Sequence, residues 1–286
     1  MKVWIDGELA DRDDARLCVF DHGLLYGDGV FEGIRVYEGK IFRCAEHVDR
    51  LFASARAIRL AVPMTKQAIT DAMEQTVAAN GVVDGYIRLV VTRGPGTLGL
   101  EPNKCANPVV FIIADQIALY PEEMYANGMA VIIARTRRIG ASMIPPSTKS
   151  LNYLNNILAK VEAVDAGVAE AIMLNAEGDV AEATGDNVFI VRDGTVLTPP
   201  PESDILIGIT RGVVMELCRR LEVPLAERRI SVEQLYAADE CFLTGTAAEV
   251  IAVTQVDDRM IGDGRPGPIT TRLLGAFREL TRPGRP

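Results

Sequence analysis

The chain has 286 residues, enough for one large domain or two modest ones, and it is 48% hydrophobic and 24% charged, a balance suited to a globular enzyme. Basic residues number 30 and acidic residues 39, so 30 − 39 = −9, and an acidic chain with no Lys/Arg-rich run argues against nucleic-acid binding. No apolar run reaches the roughly 18 residues that span a bilayer, and Met1 to Gly7 lacks the apolar stretch of a signal peptide, so no membrane partner and a cytoplasmic location are expected.

Residues 1–115 read as a small α+β domain. Lys2–Ile5 and Ile34–Tyr37 have strand character, with a hairpin turn at Glu38-Gly39-Lys40. Helical spacing of Val48, Leu51, Phe52, Ala55 and Ile58 predicts an amphipathic helix over 47–60, and 65–80 reads as a second helix ended by Asn80-Gly81. Residues 86–92 and 108–114 are apolar runs fit for buried strands, and the Gly/Pro loop 93–102 between them is too long for a tight turn. Residues 116–128 show no period and read as a linker.

A larger domain is expected over 129–286. Strands are predicted at 129–135, 171–175, 187–192, 195–198 and 240–244, with Asp193-Gly194 as a hairpin turn. Helices are predicted at 150–167, with Ser150 as N-cap, at 210–221 and at 270–280, followed by a frayed tail over 282–286. The fold class is therefore α/β, mixed α+β in its first part.

The five cysteines (Cys18, Cys44, Cys105, Cys218, Cys241) form no C-x-x-C and read as reduced thiols. His22 and His47 are the only histidines and lie in no metal or hydrolase motif, so no metal site is expected. Lysine is scarce: Lys2, Lys40, Lys66, Lys104, Lys149 and Lys160, against 30 − 6 = 24 arginines. Covalent amine chemistry needs a partly desolvated lysine beside a pocket. Lys149, where a Pro-Pro-Ser-Thr loop runs into an apolar helix, is the candidate by elimination; by position alone, a surface lysine at a helix start remains open. Ile207-Gly208-Ile209-Thr210-Arg211 opens a helix and offers free N–H groups to an anion, and Thr244-Gly245-Thr246-Ala247-Ala248 is a second candidate nest. Plain turns fit both segments equally well. Glu182 is a carboxylate suited to face a pyridine nitrogen, or an ordinary strand-end acid.

Seven stretches, in order along nearly the whole chain, carry a resemblance. They are Tyr26–Arg35, His47–Leu51, Tyr86–Leu89, Ser147–Asn156, Glu182 with Gly185-Asp186-Asn187, Gly208–Arg211 and Thr244–Glu249. Together they resemble class IV (fold type IV) pyridoxal-phosphate aminotransferases, and most of all the branched-chain amino-acid enzymes of that class. The resemblance implies a two-domain homodimer or higher homo-oligomer, pyridoxal 5′-phosphate as cofactor, and amino-acid and 2-oxo-acid substrates. It assigns Lys149 as the Schiff-base lysine and proton shuttle. It gives the phosphate to Arg50, to Gly208, Ile209 and Thr210, and to Thr246, the pyridine nitrogen to Glu182, and the phenolic oxygen to Tyr153. Tyr26, Phe31, Tyr86, Arg88, Thr246 and Ala247 would line the substrate site, with Tyr26 or the loop around Leu100 serving the neighbouring subunit. Arg88 would meet the distal carboxylate of glutamate, with Tyr26 as its expected partner. The implied reaction moves the amino group of leucine, isoleucine or valine to 2-oxoglutarate. A D-amino-acid aminotransferase and an aminodeoxychorismate lyase share the fold and cofactor, and the lysine motif of the D-amino-acid enzymes starts much like Lys149-Ser150-Leu151-Asn152; a non-catalytic ligand-binding protein is the reading from outside the enzymes.

Overall fold

The computed structural model describes residues 1–117 and 120–284. The chain divides into two bodies, Met1–Ile117 with Thr148–Asn152, and Ala118–Ser147 with Tyr153–Pro286. A boundary at 115 with a linker over 116–128 differs from this division. Along the chain, nothing marks Thr148–Asn152 as belonging with the first body, because its partners there are far away in sequence. Part of the expected linker, Ala118 and Leu119, lies outside the described residues, as do Arg285 and Pro286 of the expected tail.

The first body contains β1 (Lys2–Ile5), β2 (Glu8–Asp11), α1 (His22–Tyr26), β3 (Gly29–Tyr37), β4 (Lys40–Ile41), α2 (Cys44–Ala57), α3 (Lys66–Ala79), β5 (Gly85–Thr92) and β6 (Val109–Asp115). The strands form one antiparallel sheet in the order β2-β1-β6-β5-β3-β4. Side chains alternate across a sheet, so Val30, Ile34 and Val36 of β3 share a face with Ile87, Leu89 and Val91 of β5. That face packs against Val48, Leu51 and Ala55 of α2 and Ile69, Met73 and Val77 of α3, each an apolar stripe at helical spacing. Thr65 caps α3 by accepting the Ala68 N–H (3.1 Å). β3 is longer than the expected Ile34–Tyr37, because its glycine-rich start at Gly29 weakens the sequence pattern while pairing with β5 from Gly29–Thr92 to Val36–Gly85 holds it extended.

The second body contains α4 (Glu122–Asn127), β7 (Met129–Ile133), α5 (Leu154–Asp165), β8 (Glu170–Leu174), β9 (Val180–Ala183), β10 (Asn187–Arg192), β11 (Thr195–Thr198), α6 (Ile209–Arg220), β12 (Leu225–Glu227), α7 (Val232–Tyr236), β13 (Glu240–Gly245), β14 (Glu249–Val256), β15 (Arg259–Met260) and α8 (Pro268–Thr281). Sheet order is β12-β11-β10-β13-β14-β7-β8-β9, with β15 on β14. β9 also pairs with β10, so β10, β13, β14, β7, β8 and β9 close on themselves. The closing pair is Glu182 with Asn187. Val188, Ile190, Cys241, Leu243, Ile251 and Val253 belong to one core, while Phe189 and Phe242 stack on the opposite faces of their strands (centroids 4.9 Å).

Two expectations change. The helix read over 150–167 starts at Leu154, and Ser150 is no N-cap: it bridges Val30 in extended conformation. The supposed linker holds α4, too short to show a period, whose Tyr125 hydroxyl donates to Ala248 O (3.1 Å).

Candidate active site

The lysine-bearing segment lies alongside the first half of β3. Phe31 N donates to Lys149 O (3.0 Å), Leu151 N to Gly29 O (3.0 Å), and Lys149 N to Ser54 Oγ of α2 (3.1 Å). Asn152 Nδ2 donates to Gly27 O (2.9 Å), closing the segment's far end. The backbone of Lys149 is thus fixed on both sides, and its amine stands 4.6 Å from the centre of the Phe31 ring. The same ring receives the Arg88 guanidinium, at 4.5 Å. Arg88 also reaches the Tyr86 hydroxyl (3.4 Å), with which it shares a strand face. Gly33 opposes Arg88 across β3 and β5, and a Cβ there would come within 1.7 Å of the Tyr86 hydroxyl. The glycine is therefore what lets the phenol lie over the sheet.

Beneath this, on the helix-facing side of β3, is a carboxylate in an apolar row. Glu32 falls between Val30 and Ile34 and is fully buried. Arg50 Nε donates to Glu32 Oε1 (2.7 Å) and Arg50 Nη2 to Oε2 (2.8 Å), a two-point fork. His47 Nδ1 donates to Oε2 (2.7 Å), since an ionised carboxylate only accepts. Burial pushes the Glu32 carboxyl up, but the bonds from Arg50 and then His47 override it and hold it at about 2. Burial lowers the His47 imidazole below its usual value, with Arg50 and Lys149 lowering it further against the raising effect of Glu32.

In the second body, Glu182 is buried at the seam where β9 meets β10. Its Oε1 accepts from Arg138 Nε (2.6 Å) and its Oε2 from Leu206 N (2.8 Å), with Asn187 Nδ2 at 3.4 Å. Asn187 Nδ2 also donates to Leu206 O (2.8 Å), tying the seam to the loop before α6. Gly208 is the N-cap of α6 and carries no side-chain cap, so the first-turn N–H groups of Ile209, Thr210 and Arg211 have no intrahelical acceptor. A Cβ on Gly208 would sit 2.0 Å from Asn187 Oδ1. Gly245 makes an equally close approach to Asp186, 1.6 Å for an added Cβ, at the start of the turn carrying Thr246 and Ala247.

A family model described as "Amino-transferase class IV" matches residues 29–256, from the first residue of β3 to the last of β14. The chain belongs to the class IV aminotransferases. This class IV chain is 46% identical to a putative branched-chain-amino-acid aminotransferase of Methanocaldococcus jannaschii, over 98% of the chain and 96% of the relative. It resembles the T.th. branched-chain amino acid aminotransferase solved with pyridoxamine 5′-phosphate (TM-score 0.95, 38% identity, 100% of this chain and 95% of that one). The branched-chain aminotransferase of Thermoproteus uzoniensis, solved with norvaline, is similar too (TM-score 0.92, 41% identity, 98% and 94%).

Of the residues singled out in sequence, Lys149, Phe31, Tyr86 and Arg88 lie together in the first body, and Arg50 lies on the other face of β3 against Glu32. The Tyr26 hydroxyl accepts from Gly99 N (3.1 Å), and the side-chain hydrogen bond of Arg88 goes to Tyr86 rather than to the expected Tyr26. In the second body, Glu182 and Gly208 both meet Asn187, Ile209 and Thr210 form the first turn of α6, Thr246 and Ala247 occupy the turn after β13, and Tyr153 is the residue before α5. Sequence reasoning passes over Glu32, His47 and Arg138. A charged residue at a core position of an alternating strand, with His47 and Arg50 three apart on the next helix, is the available signal for the first two; Arg138 carries none.

Proposed function

We propose that this chain transfers the amino group of branched-chain L-amino acids (leucine, isoleucine, valine) to 2-oxoglutarate, with pyridoxal 5′-phosphate as cofactor. The observation that carries this reading is the convergence on one aromatic ring of an amine whose backbone is fixed on both sides and a guanidinium whose other neighbour is Tyr86. The donors present suit a phosphorylated pyridine. α6 begins uncapped, a glycine stands where a Cβ would collide, and the buried Thr148 and Thr244 hydroxyls have no hydrogen-bond partner among the described residues.

In this reading Arg50, the first turn of α6 (Gly208, Ile209, Thr210) and Thr246 hold the phosphate, Glu182 meets the ring nitrogen and Tyr153 the phenolic oxygen. Bound there, the cofactor supplies an electron sink for the charge left on the substrate's Cα. Lys149 Nζ anchors the cofactor and moves the proton from Cα. Phe31, Tyr86, Thr246 and Ala247 wall the side-chain pocket. Arg88 meets the distal carboxylate of glutamate and falls back on Tyr86 and the Phe31 face when leucine is bound, which spares the cost of an unpaired buried charge.

A homodimer or higher homo-oligomer belongs to the same reading. Leu154, Ile157, Leu158, Val161 and Val164 make an exposed apolar stripe on α5, and in the first body Leu24, Leu98 and Leu100 are exposed around Tyr26. Contiguous apolar surface of that kind marks an interface. No described helix is long and apolar enough to cross a membrane, and all five cysteines are free; a cytoplasmic location fits both. The test is a comparison of purified enzyme on L-leucine, L-glutamate and D-alanine with the mass in solution. Faster conversion of D-alanine than of L-leucine would overturn the substrate, and a monomer of full activity the assembly.

A further inference from the structure

Glu32 takes no part in the reaction just outlined, yet it is fully buried and holds three hydrogen bonds beside it. A lone carboxylate on the apolar face of a sheet is costly unless every charge on it is answered. Here three donors answer it, all from α2: the Arg50 fork and His47. His47, Arg50 and Ser54 stand at i, i+3 and i+7, so they share one face of the helix. The last of them holds the backbone N–H of Lys149. One helix face therefore carries the proposed phosphate cation and the hold on the proposed cofactor lysine, and Glu32 fixes that face to β3.

We infer that Glu32 is a positioning residue that sets the Arg50 guanidinium for the cofactor's phosphate through the two-point fork. The inference rests on Arg50 as the phosphate cation. Arginine has five N–H groups in a rigid plane. Committing Nε and one Nη2 hydrogen to a buried, immobile carboxylate fixes that plane and aims the remaining edge. Without the fork the guanidinium keeps its charge but loses its aim.

The discriminating variant is Glu32→Asp. It keeps the negative charge, whose removal would itself strengthen the pull of Arg50 on a phosphate, and withdraws both oxygens by one methylene. Apo-enzyme is titrated with pyridoxal 5′-phosphate and with pyridoxal, which lacks the phosphate. Glu32→Asp should weaken binding of the phosphorylated form about tenfold, the scale of one charge-assisted hydrogen bond, and leave pyridoxal unchanged. In an Arg50→Ala background it should add nothing. Arg50→Lys, which keeps the cation and abolishes the fork, is the second variant and should show the same selective loss even if Glu32→Asp does not fold. Wild-type affinity in Arg50→Lys, or equal losses for the two ligands in Glu32→Asp, overturns the inference. If Arg50→Ala itself binds the phosphorylated form normally, the phosphate assignment fails instead. If Arg50→Ala is weakened while Glu32→Asp and Arg50→Lys are normal, the assignment stands and the positioning role falls.

Discussion

Glu32 in the first body and Glu182 in the second are both buried carboxylates bonded to an arginine, but their settings differ. Glu32 interrupts an apolar row in mid-strand and is answered by side chains of a single helix. Glu182 sits at the seam of a closed sheet and is answered by Arg138, by the backbone N–H of Leu206 and, more distantly, by Asn187. The first arrangement immobilises a cation; the second immobilises the carboxylate itself. The same contrast runs through both bodies. Side-chain charge dominates around Phe31, with Lys149 and Arg88, whereas the second body offers backbone N–H groups at α6 and glycines at close approaches.

The largest expected effect breaks the comparison at its centre. Lys149→Ala removes the group proposed to move the proton and should cut turnover at least about a thousandfold, within the range for loss of a positioned acid–base group. Borohydride reduction and peptide mapping of the wild type should place the pyridoxyl label on Lys149. A label on another lysine would remove the assignment.

Next in size is Glu182→Gln, which keeps shape and removes charge. Turnover should fall on the order of a hundredfold, about 2.7 kcal/mol, with a much smaller change in cofactor affinity. Glu182→Ala should in addition cost roughly 3–5 kcal/mol of stability, because Arg138 loses its carboxylate while remaining mostly buried. An unchanged rate in the Gln variant would reduce Glu182 to a structural partner of Arg138, and the contrast with Glu32 would vanish.

Arg88→Leu sharpens the comparison within the first body. The half-reaction with glutamate should slow by about ten- to a hundredfold, the scale of a lost charge-assisted bond. The half-reaction with leucine should be little affected. Stopped-flow spectra of each half-reaction separate the two, and equal losses would deny Arg88 its specificity role.

How far these settings can be read from residues alone differs between the bodies. Asn187–Arg192 and Thr195–Thr198 are found where expected, because Asp193-Gly194 marks their hairpin and the flanking runs are β-branched. Lys2–Ile5 is found likewise. The lysine segment reads as helix because Ser150 looks like an N-cap, whereas pairing with β3, a long-range contact, decides its conformation. Strand period alone places Arg88 and Tyr86 on one face, but it does not reveal that they are partners, since Gly33 makes room for Tyr86 only across two strands. The seam at Glu182 and Asn187 depends on closure of the whole sheet, which no local pattern encodes.

The smallest effect is on stability against pH, and it separates the two partners of the Glu32 cluster. His47 on α2 faces Glu32 of β3, Arg50 of its own helix and Lys149 of the lysine segment. Its pKa is lowered in the folded chain, first by burial. A lowered folded value means the unfolded chain binds the proton more readily, so the contribution is whole above about 6.5 and is lost as pH falls below that value. Glu32 has the same sign in a lower window: its stabilisation is present above 4.5 and is lost as pH falls towards about 2. Denaturant unfolding followed from about pH 8 downward should therefore show a first decline below about pH 6.5 and a second below about pH 4.5, with neither group contributing a slope above about pH 8. His47→Gln should flatten the first decline and leave the second. If the first decline persists unchanged in that variant, protonation of His47 is not what weakens the cluster, and the imidazole is held by packing rather than by its bond to Glu32.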